Sequence, residues 1–490
     1  MWSLSSSAKE TEQIAVEKEE ALVAGRQSQG SSSVQQVNTS SSVVSMQSGS
    51  ARSAGLDPAR LRDPDLCVAE LNRRYAVVNF GNQVMIADDV GATHAFLGVD
   101  AFHSLYANVL VPLKNRTHSV SRYWFTHPDR RQYMEGMIFD PGGSPPPGYY
   151  NRWVGFAVVA KAQGSCKLFL EHVREVICKG DADCYEYVLN WLALMIQRPG
   201  VLPGVALCLL SGQGTGKGEF VKYLGKIVGR YLKQLTDRDQ LFGRFTDHLD
   251  DALLVFADEM HWGGNKNETG RLKVLVTEET RESERKYGAV MKVKNCIHLI
   301  VASNEEWAVP AEVDDRRFFV LEVSEHRVGD FAYFERLAGE RDNGGPEALL
   351  AFLQTRDISA FNPRDFPRTR ARLSQQLASL KPIDRWLHDL AASAALPRSV
   401  VGDGESWSQR VPKEELFQAY KVWWNEAKAP GAVESKTAFT KALARFGFVA
   451  TKMQHPFGSR RVQAYDVPTL GALRSTFDRL LGYPTDWDPA

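Results

Sequence analysis

Val205-Ala206-Leu207-Cys208-Leu209-Leu210 runs directly into Ser211-Gly212-Gln213-Gly214-Thr215-Gly216-Lys217-Gly218, and this junction decides the fold. The first part is wholly apolar and short, which suits a parallel strand buried on both faces. Past the glycines, Phe220, Val221, Leu224, Ile227 and Val228 recur at helical spacing. Strand, glycine-rich loop, lysine and helix is the order that a phosphate cradle requires. Glycines let consecutive backbone N–H groups converge on an anion, and the helix amino end adds its dipole.

The candidate nucleotide contacts are therefore Gly212, Gln213, Gly214, Thr215, Gly216, Lys217, Gly218 and Glu219, with Lys217 reaching the β- and γ-phosphates. Two positions depart from the common pattern. Ser211 stands where a first glycine is usual, and Gly218 where a Ser or Thr hydroxyl would meet Mg²⁺. The metal is then left to water and acidic side chains.

Further along, two more apolar runs end in polar residues, and a third is preceded by them. Leu253-Leu254-Val255-Phe256-Ala257 ends at Asp258-Glu259, where Asp258 is the expected Mg²⁺ ligand and Glu259 the group that polarises an attacking water. Ile297-His298-Leu299-Ile300-Val301-Ala302-Ser303 ends at Asn304, whose amide can sense the γ-phosphate. Asp314-Asp315-Arg316-Arg317-Phe318-Phe319-Val320 sets two guanidiniums just before a fourth strand. An arginine so placed can stabilise charge on a transferred phosphoryl group bound to a neighbouring copy. The catalytic candidates are Lys217, Asp258, Glu259, Asn304, Arg316 and Arg317.

The bulk composition fits such an enzyme. The 490 residues carry 59 Lys+Arg against 59 Asp+Glu, a net charge of zero. That balance argues against a simple DNA-coating protein, but not against a ring with a positive channel. Cys67, Cys166, Cys178, Cys184, Cys208 and Cys296 form no CxxC pair, so reduced, buried thiols are expected rather than a zinc site. There is no apolar leader and no run long enough to span a membrane, so the cytoplasm of a bacterial host is the expected location.

Composition and periodicity divide the chain further. Residues 1–56 form a Ser/Gln-rich tail expected to be disordered. Residues 57–160 read as an α+β region, 161–200 as a helical collar, 201–355 as the α/β core, and 382–480 as a C-terminal module. In that module Leu416, Phe417, Tyr420, Trp423 and Trp424 share one helix face. Phe439, Leu443 and Phe446 line a second helix, with Lys436, Lys441 and Arg445 outward. A basic hairpin around Pro456-Phe457-Gly458 completes a winged-helix-like pattern. Asp181-Ala182-Asp183 follows Lys179-Gly180 at a helix start, where acidic residues act as caps, so no carboxylate constellation for a primase is found.

The loop, the Asp-Glu pair, the terminal Asn304 and the Asp-Arg-Arg-Phe segment together resemble superfamily 3 helicases of phages and mobile elements, above all the helicase module of phage primase-polymerases. Trp124, His127-Pro128, Arg130-Arg131, Tyr133, Phe139-Asp140-Pro141, Asn151 and Trp153 extend the likeness, which covers about Pro58 to Leu353. The resemblance implies an AAA+-type P-loop ATPase that uses ATP and Mg²⁺. It also implies a homo-hexameric ring that translocates on single-stranded DNA during replication. The primase-polymerase domain usually fused to this helicase type is not found among these residues, so a separate primase or polymerase is an expected partner. Val290-Met291-Lys292-Val293-Lys294 reads as a strand after a turn at Tyr287-Gly288. In the resembling helicases a hairpin here grips DNA, which makes Lys286 the tip candidate, with Arg285, Tyr287 and Lys292 as helpers. The alternative function is a nucleotide-dependent DNA-binding switch or scaffold that does not unwind, for which Gly218 is the main support.

Overall fold

The computed structural model describes residues 55–81, 83–89, 95–113, 116–143, 145–258, 266–284, 290–304, 315–401, 407–429, 432–454, 461–482, 485 and 487. Residues 1–54 of the expected disordered tail, Glu259, Arg285, Lys286, Tyr287 and the turn at Pro456-Phe457-Gly458 fall outside these residues.

The amino-terminal region is a small mixed sheet backed by helices. Helix α1 (Cys67–Asn72) leads into β1 (Tyr75–Phe80), β2 (Gln83–Asp88) and β3 (Ala95–Gly98); α2 (Val120–Thr126) precedes the short β4 (Gln132–Tyr133). The strand order is β3-β2-β1-β4, antiparallel except where β1 meets β4. Cys67, Leu71, Val120 and Trp124 from the helices bury Val77 and Ile86 of the sheet. Arg152, at the end of this region, reaches Asp251 of the core at 2.6 Å. Arg230 and Lys233 converge on the same carboxylate at 3.2 and 2.9 Å.

Next come α3 (Lys167–Glu171), a π-helical turn (His172–Ile177) and α4 (Ala182–Gln197). Asp181 caps α4 as its residue type suggests, its carboxylate accepting the Cys184 N–H at 2.8 Å. The indole of Trp191 donates to the Val205 carbonyl at 3.0 Å, which fixes α4 beneath the first core strand.

The core is α/β. It comprises β5 (Ala206–Leu210), α5 (Lys217–Val228), β6 (Leu232–Leu235), β7 (Leu254–Asp258), α6 (Lys266–Thr277), β8 (Thr280–Ser283), β9 (Met291–Lys294), β10 (His298–Ser303) and β11 (Phe318–Glu322). Five strands form one parallel sheet in the order β6-β7-β10-β5-β11. Alternation at period two explains its two buried faces. Leu207, Leu209, Leu254, Phe256, Ile300, Phe319 and Leu321 face the layer holding α4 and α5. Ala206, Cys208, Val255, Ala257, Leu299, Val301 and Val320 face the layer with Leu272, Leu275 and Val276 of α6. Strands β8 and β9 form a separate antiparallel hairpin, with Thr280 opposite Lys294 and Ser283 opposite Met291.

Beyond the sheet lie α7 (Phe331–Asp342), α8 (Gly345–Thr355), α9 (Arg370–Ala378) and α10 (Pro382–Ser393). The C-terminal module contains β12 (Arg410–Pro412), α11 (Lys413–Glu426), α12 (Lys436–Arg445), β13 (Val449–Gln454), β14 (Arg461–Asp466) and α13 (Leu470–Leu481). Its antiparallel sheet has the order β12-β14-β13. Leu416, Tyr420, Phe439, Leu443 and Phe446 are buried there with Trp386 of α10 and Phe477 of α13.

Lys436 and Arg445 are exposed and carry partners: Lys436 pairs with Glu414 at 2.7 Å, and Arg445 with the buried Asp384. Lys441 is exposed. All six cysteines are free and buried. No described helix is long and apolar enough to cross a membrane.

Candidate nucleotide site

The carboxyl ends of β5, β7 and β10 lie side by side because the strands are parallel neighbours in the sheet. Asp258 pairs in register with Ala302, and Ser303 with Leu210. The residues that follow these ends therefore meet at one edge, where ligands of open α/β sheets bind. A cavity of about 390 Å³ is lined there by Gln213, Thr215, Lys217, Gly218, Asp258 and Asn304.

The loop from β5 to α5 turns through two left-handed glycines, Gly214 at φ 75° and Gly216 at φ 106°. Lys217 is 8% exposed. Its ammonium donates to the Ser211 carbonyl and hydroxyl at 2.8 Å each and to the Gly212 carbonyl at 2.9 Å. The Asn304 side-chain oxygen is 3.4 Å away. The Ser211 and Thr215 hydroxyls share a hydrogen bond of 2.8 Å across the loop. Glu219 is held by Lys222 at 2.7 Å and by Arg341 of α7 at 2.5 Å.

The donor set also bears on a divalent cation. An ideal Cβ on Gly218 meets nothing within 4 Å, so this position has room for a side chain that glycine does not supply. Asp258 is half-buried at the end of β7 and lines the same cavity. Among the described residues no group of three or more His, Cys, Asp or Glu side chains gathers in a metal-binding cluster. In general one or two carboxylates suffice for Mg²⁺ where water and substrate phosphates supply its other ligands.

Arg316 and Arg317 lie elsewhere. The register sets Phe318 opposite Ala206 and Glu322 opposite Leu210, so both arginines stand at the amino ends of the strands. Four residue steps of strand, roughly 13 Å of rise, separate that end from the side where Lys217 lies. Arg316 is exposed. Arg317 bonds through its backbone N–H to the Asp315 carboxylate at 2.9 Å and lies beside it again through its guanidinium at 3.4 Å. Asp315 is 4% exposed, and burial raises its pKa. On the hairpin, Lys292 is exposed opposite Glu282, whereas Arg281 is buried against Asp250 at 2.8 Å.

Two contacts to the loop come from residues that local sequence patterns do not single out. The Glu325 carboxylate accepts the Gly212 N–H at 3.3 Å. His172 lies 3.2 Å from the Gly216 carbonyl and 3.1 Å from the Tyr333 hydroxyl. Each partner is distant in the chain: Glu325 arrives just after β11, and His172 from the π-helical turn that packs beside α5 and α7.

Residues 209–317, which include the loop, Asp258, Asn304 and both arginines, match a family described as a family of unknown function, DUF5906. A DNA primase-polymerase of Nitratiruptor phage NrS-1 is 34% identical over 147 residues, 29% of this chain and 20% of that protein. The match thus spans about a fifth of the relative's length. Two solved structures share the fold. An apo structure of the NrS-1 C-terminal region (305–718) aligns with a TM-score of 0.58 at 18% identity, covering 80% of this chain and 96% of that one. An A-form apo structure of the same region gives 0.59 at 17% identity, covering 82% and 98%. The chain is thus similar in sequence to part of a phage DNA primase-polymerase and shares the fold of that protein's C-terminal region.

Proposed function

We propose that this chain is an AAA+-type P-loop ATPase of the superfamily 3 kind, an enzyme that drives translocation along single-stranded DNA as a hexameric ring. It would serve the replication of a phage or mobile element in the bacterial cytoplasm. The observation that carries this reading is the meeting of Lys217, Asp258 and Asn304, brought to the carboxyl ends of three neighbouring strands, around one cavity. The likeness to a phage DNA primase-polymerase supports the replicative setting and the DNA partner.

In this reading the Lys217 ammonium neutralises charge on the β- and γ-phosphates, and the loop N–H groups cradle them. Asp258, with water and phosphate oxygens, would hold Mg²⁺, which neutralises charge developing on the phosphates. Glu259, next to Asp258 in sequence, polarises the attacking water, and the Asn304 amide orients it. Arg316 serves a neighbouring copy, since its own cradle lies at the other end of the strands. The hairpin carrying Lys292 contacts the DNA backbone, and the winged-helix-like C-terminal module assists DNA loading.

A second reading, nucleotidyl transfer, is favoured by the name of the phage relative. That chemistry uses two metals clamped by carboxylates. Strand displacement on a forked DNA substrate, run beside primer synthesis on a single-stranded template, separates the two. Unwinding that requires ATP, without incorporation of nucleotides, is the expected result. Incorporation without unwinding would favour the second reading.

A further inference from the structure

His172 is completely buried at the start of the π-helical turn. Such turns occur often at functional sites. Its Nε2 faces the Gly216 carbonyl at 3.2 Å and its Nδ1 faces the Tyr333 hydroxyl at 3.1 Å. A carbonyl can only accept, so Nε2 carries the hydrogen, and Nδ1 then accepts from the Tyr333 O–H. Burial holds His172 down at about 4, so the neutral ring persists near pH 7.

The contact is close enough to require glycine. An ideal Cβ on Gly216 would sit 2.5 Å from His172 Cε1 and 3.0 Å from Phe334 Cε1, and the residue is at φ 106°. The Gly216 carbonyl also accepts the Phe220 N–H at 3.1 Å. The peptide that joins Gly216 to Lys217 is planar and trans, so its C=O and N–H point to opposite sides. Holding the oxygen turns the Lys217 N–H out of the amino end of α5, toward the cradle.

Tyr333 is itself held. Arg327 lies over its ring at 4.5 Å and pairs with Asp330 at 3.0 Å, while Asp330 accepts the Tyr333 N–H at 3.0 Å.

We propose that His172 is a positioning residue for the nucleotide loop: the Tyr333 hydroxyl selects its Nε2–H tautomer, and that N–H fixes the Gly216–Lys217 peptide so that the Lys217 N–H meets a phosphate. The proposal rests on the nucleotide-binding reading above. It separates a role in geometry from mere core filling, because Tyr333→Phe keeps the ring and its packing but removes the proton that sets the tautomer.

The test is calorimetric binding of ATP with Mg²⁺ to the full chain. The proteins are the wild type, Lys217→Ala, His172→Ala, His172→Gln, Tyr333→Phe and the His172→Ala/Tyr333→Phe double variant, each checked by thermal melting. Loss of one hydrogen bond of this kind corresponds to about a fivefold to tenfold change in affinity. His172→Ala and Tyr333→Phe are each expected to weaken binding by about that factor, and the double variant no further than His172→Ala. His172→Gln, whose amide N–H₂ reaches the Nε2 position, is expected to stay within about threefold of wild type. Wild-type affinity in Tyr333→Phe, with binding lost in Lys217→Ala, would overturn the positioning role and leave the nucleotide reading standing. Unchanged binding in Lys217→Ala would overturn that reading itself. If His172→Ala does not fold, Tyr333→Phe and His172→Gln decide the matter alone.

Discussion

Lys217 Nζ lies 3.4 Å from Asn304 Oδ1, although 87 residues separate them in the chain. The relation follows from the sheet: β5 and β10 are parallel neighbours, so the residues that leave their carboxyl ends share one edge. A cation and an amide held at that distance can contact the same phosphate group, and the proposed ATPase chemistry is built on this geometry.

Gly218 offers a gain-of-function test. Its Cβ position is open, and it lies in the first turn of α5. Gly218→Ser is expected to fold with equal or greater stability, since serine favours a helix over glycine by about 0.5 kcal/mol. It also brings a hydroxyl to the cradle. The Mg²⁺ concentration for half-maximal hydrolysis is expected to fall. An unchanged or higher Mg²⁺ requirement would count against metal binding beside Gly218.

Arg316 and Arg317 are expected to behave differently. Arg316→Ala should abolish hydrolysis while leaving ATP affinity within about threefold, as a residue acting on a neighbour's transition state would. Mixing this variant with Lys217→Ala protein is expected to restore partial activity, because each copy supplies what the other lacks. Arg317→Ala should instead destabilise the fold by about 1–2 kcal/mol, since it strips a partner from the buried Asp315. Failure of the mixture to recover activity would exclude action between copies.

Lys292 is exposed on the hairpin. If it meets the DNA backbone, Lys292→Ala weakens single-stranded DNA binding to a similar degree for every sequence and lowers the salt slope by about 0.7. Titrations by fluorescence anisotropy at several salt concentrations read both quantities. An unchanged slope would remove Lys292 from the DNA surface.

Two buried histidines make stability depend on pH. Burial holds His172 and His298 at about 4, against roughly 6.5 in an unfolded chain. Between those values the unfolded chain binds more protons, so stability is full above about pH 6.5 and is lost as pH falls toward 4, at most about 3 kcal/mol per group. His298 lies edge-on to Trp191, away from the cradle. His298→Phe is expected to lower the slope of unfolding free energy against pH near pH 5 by about 1.4 kcal/mol per unit. Urea unfolding at pH 5, 6 and 7 measures it, and an unchanged slope would contradict the assignment.

The buried strands were legible because burial on both faces writes apolar runs such as residues 205–210 and 253–257. Lys217, Asp258 and Asn304 were legible for the same reason, since each follows such a run. Edge strand β6 was not, because Leu232-Lys233-Gln234-Leu235 is short and carries two polar residues. His172 and Tyr333 were hidden for a different reason: they are 161 residues apart and belong to no local motif. The ion pairs of Lys436 and Arg445 were hidden too, since a helix face gives no sign of acids that arrive from other elements.

The most direct measurement is ATP hydrolysis by the purified chain with and without single-stranded DNA, beside Lys217→Ala and Glu259→Gln. The account predicts turnover that DNA stimulates and that falls at least about a hundredfold in both variants, the scale of losing a preorganised catalytic group. Turnover that survives in Lys217→Ala, or its absence from the wild type with DNA present, would contradict the central claim.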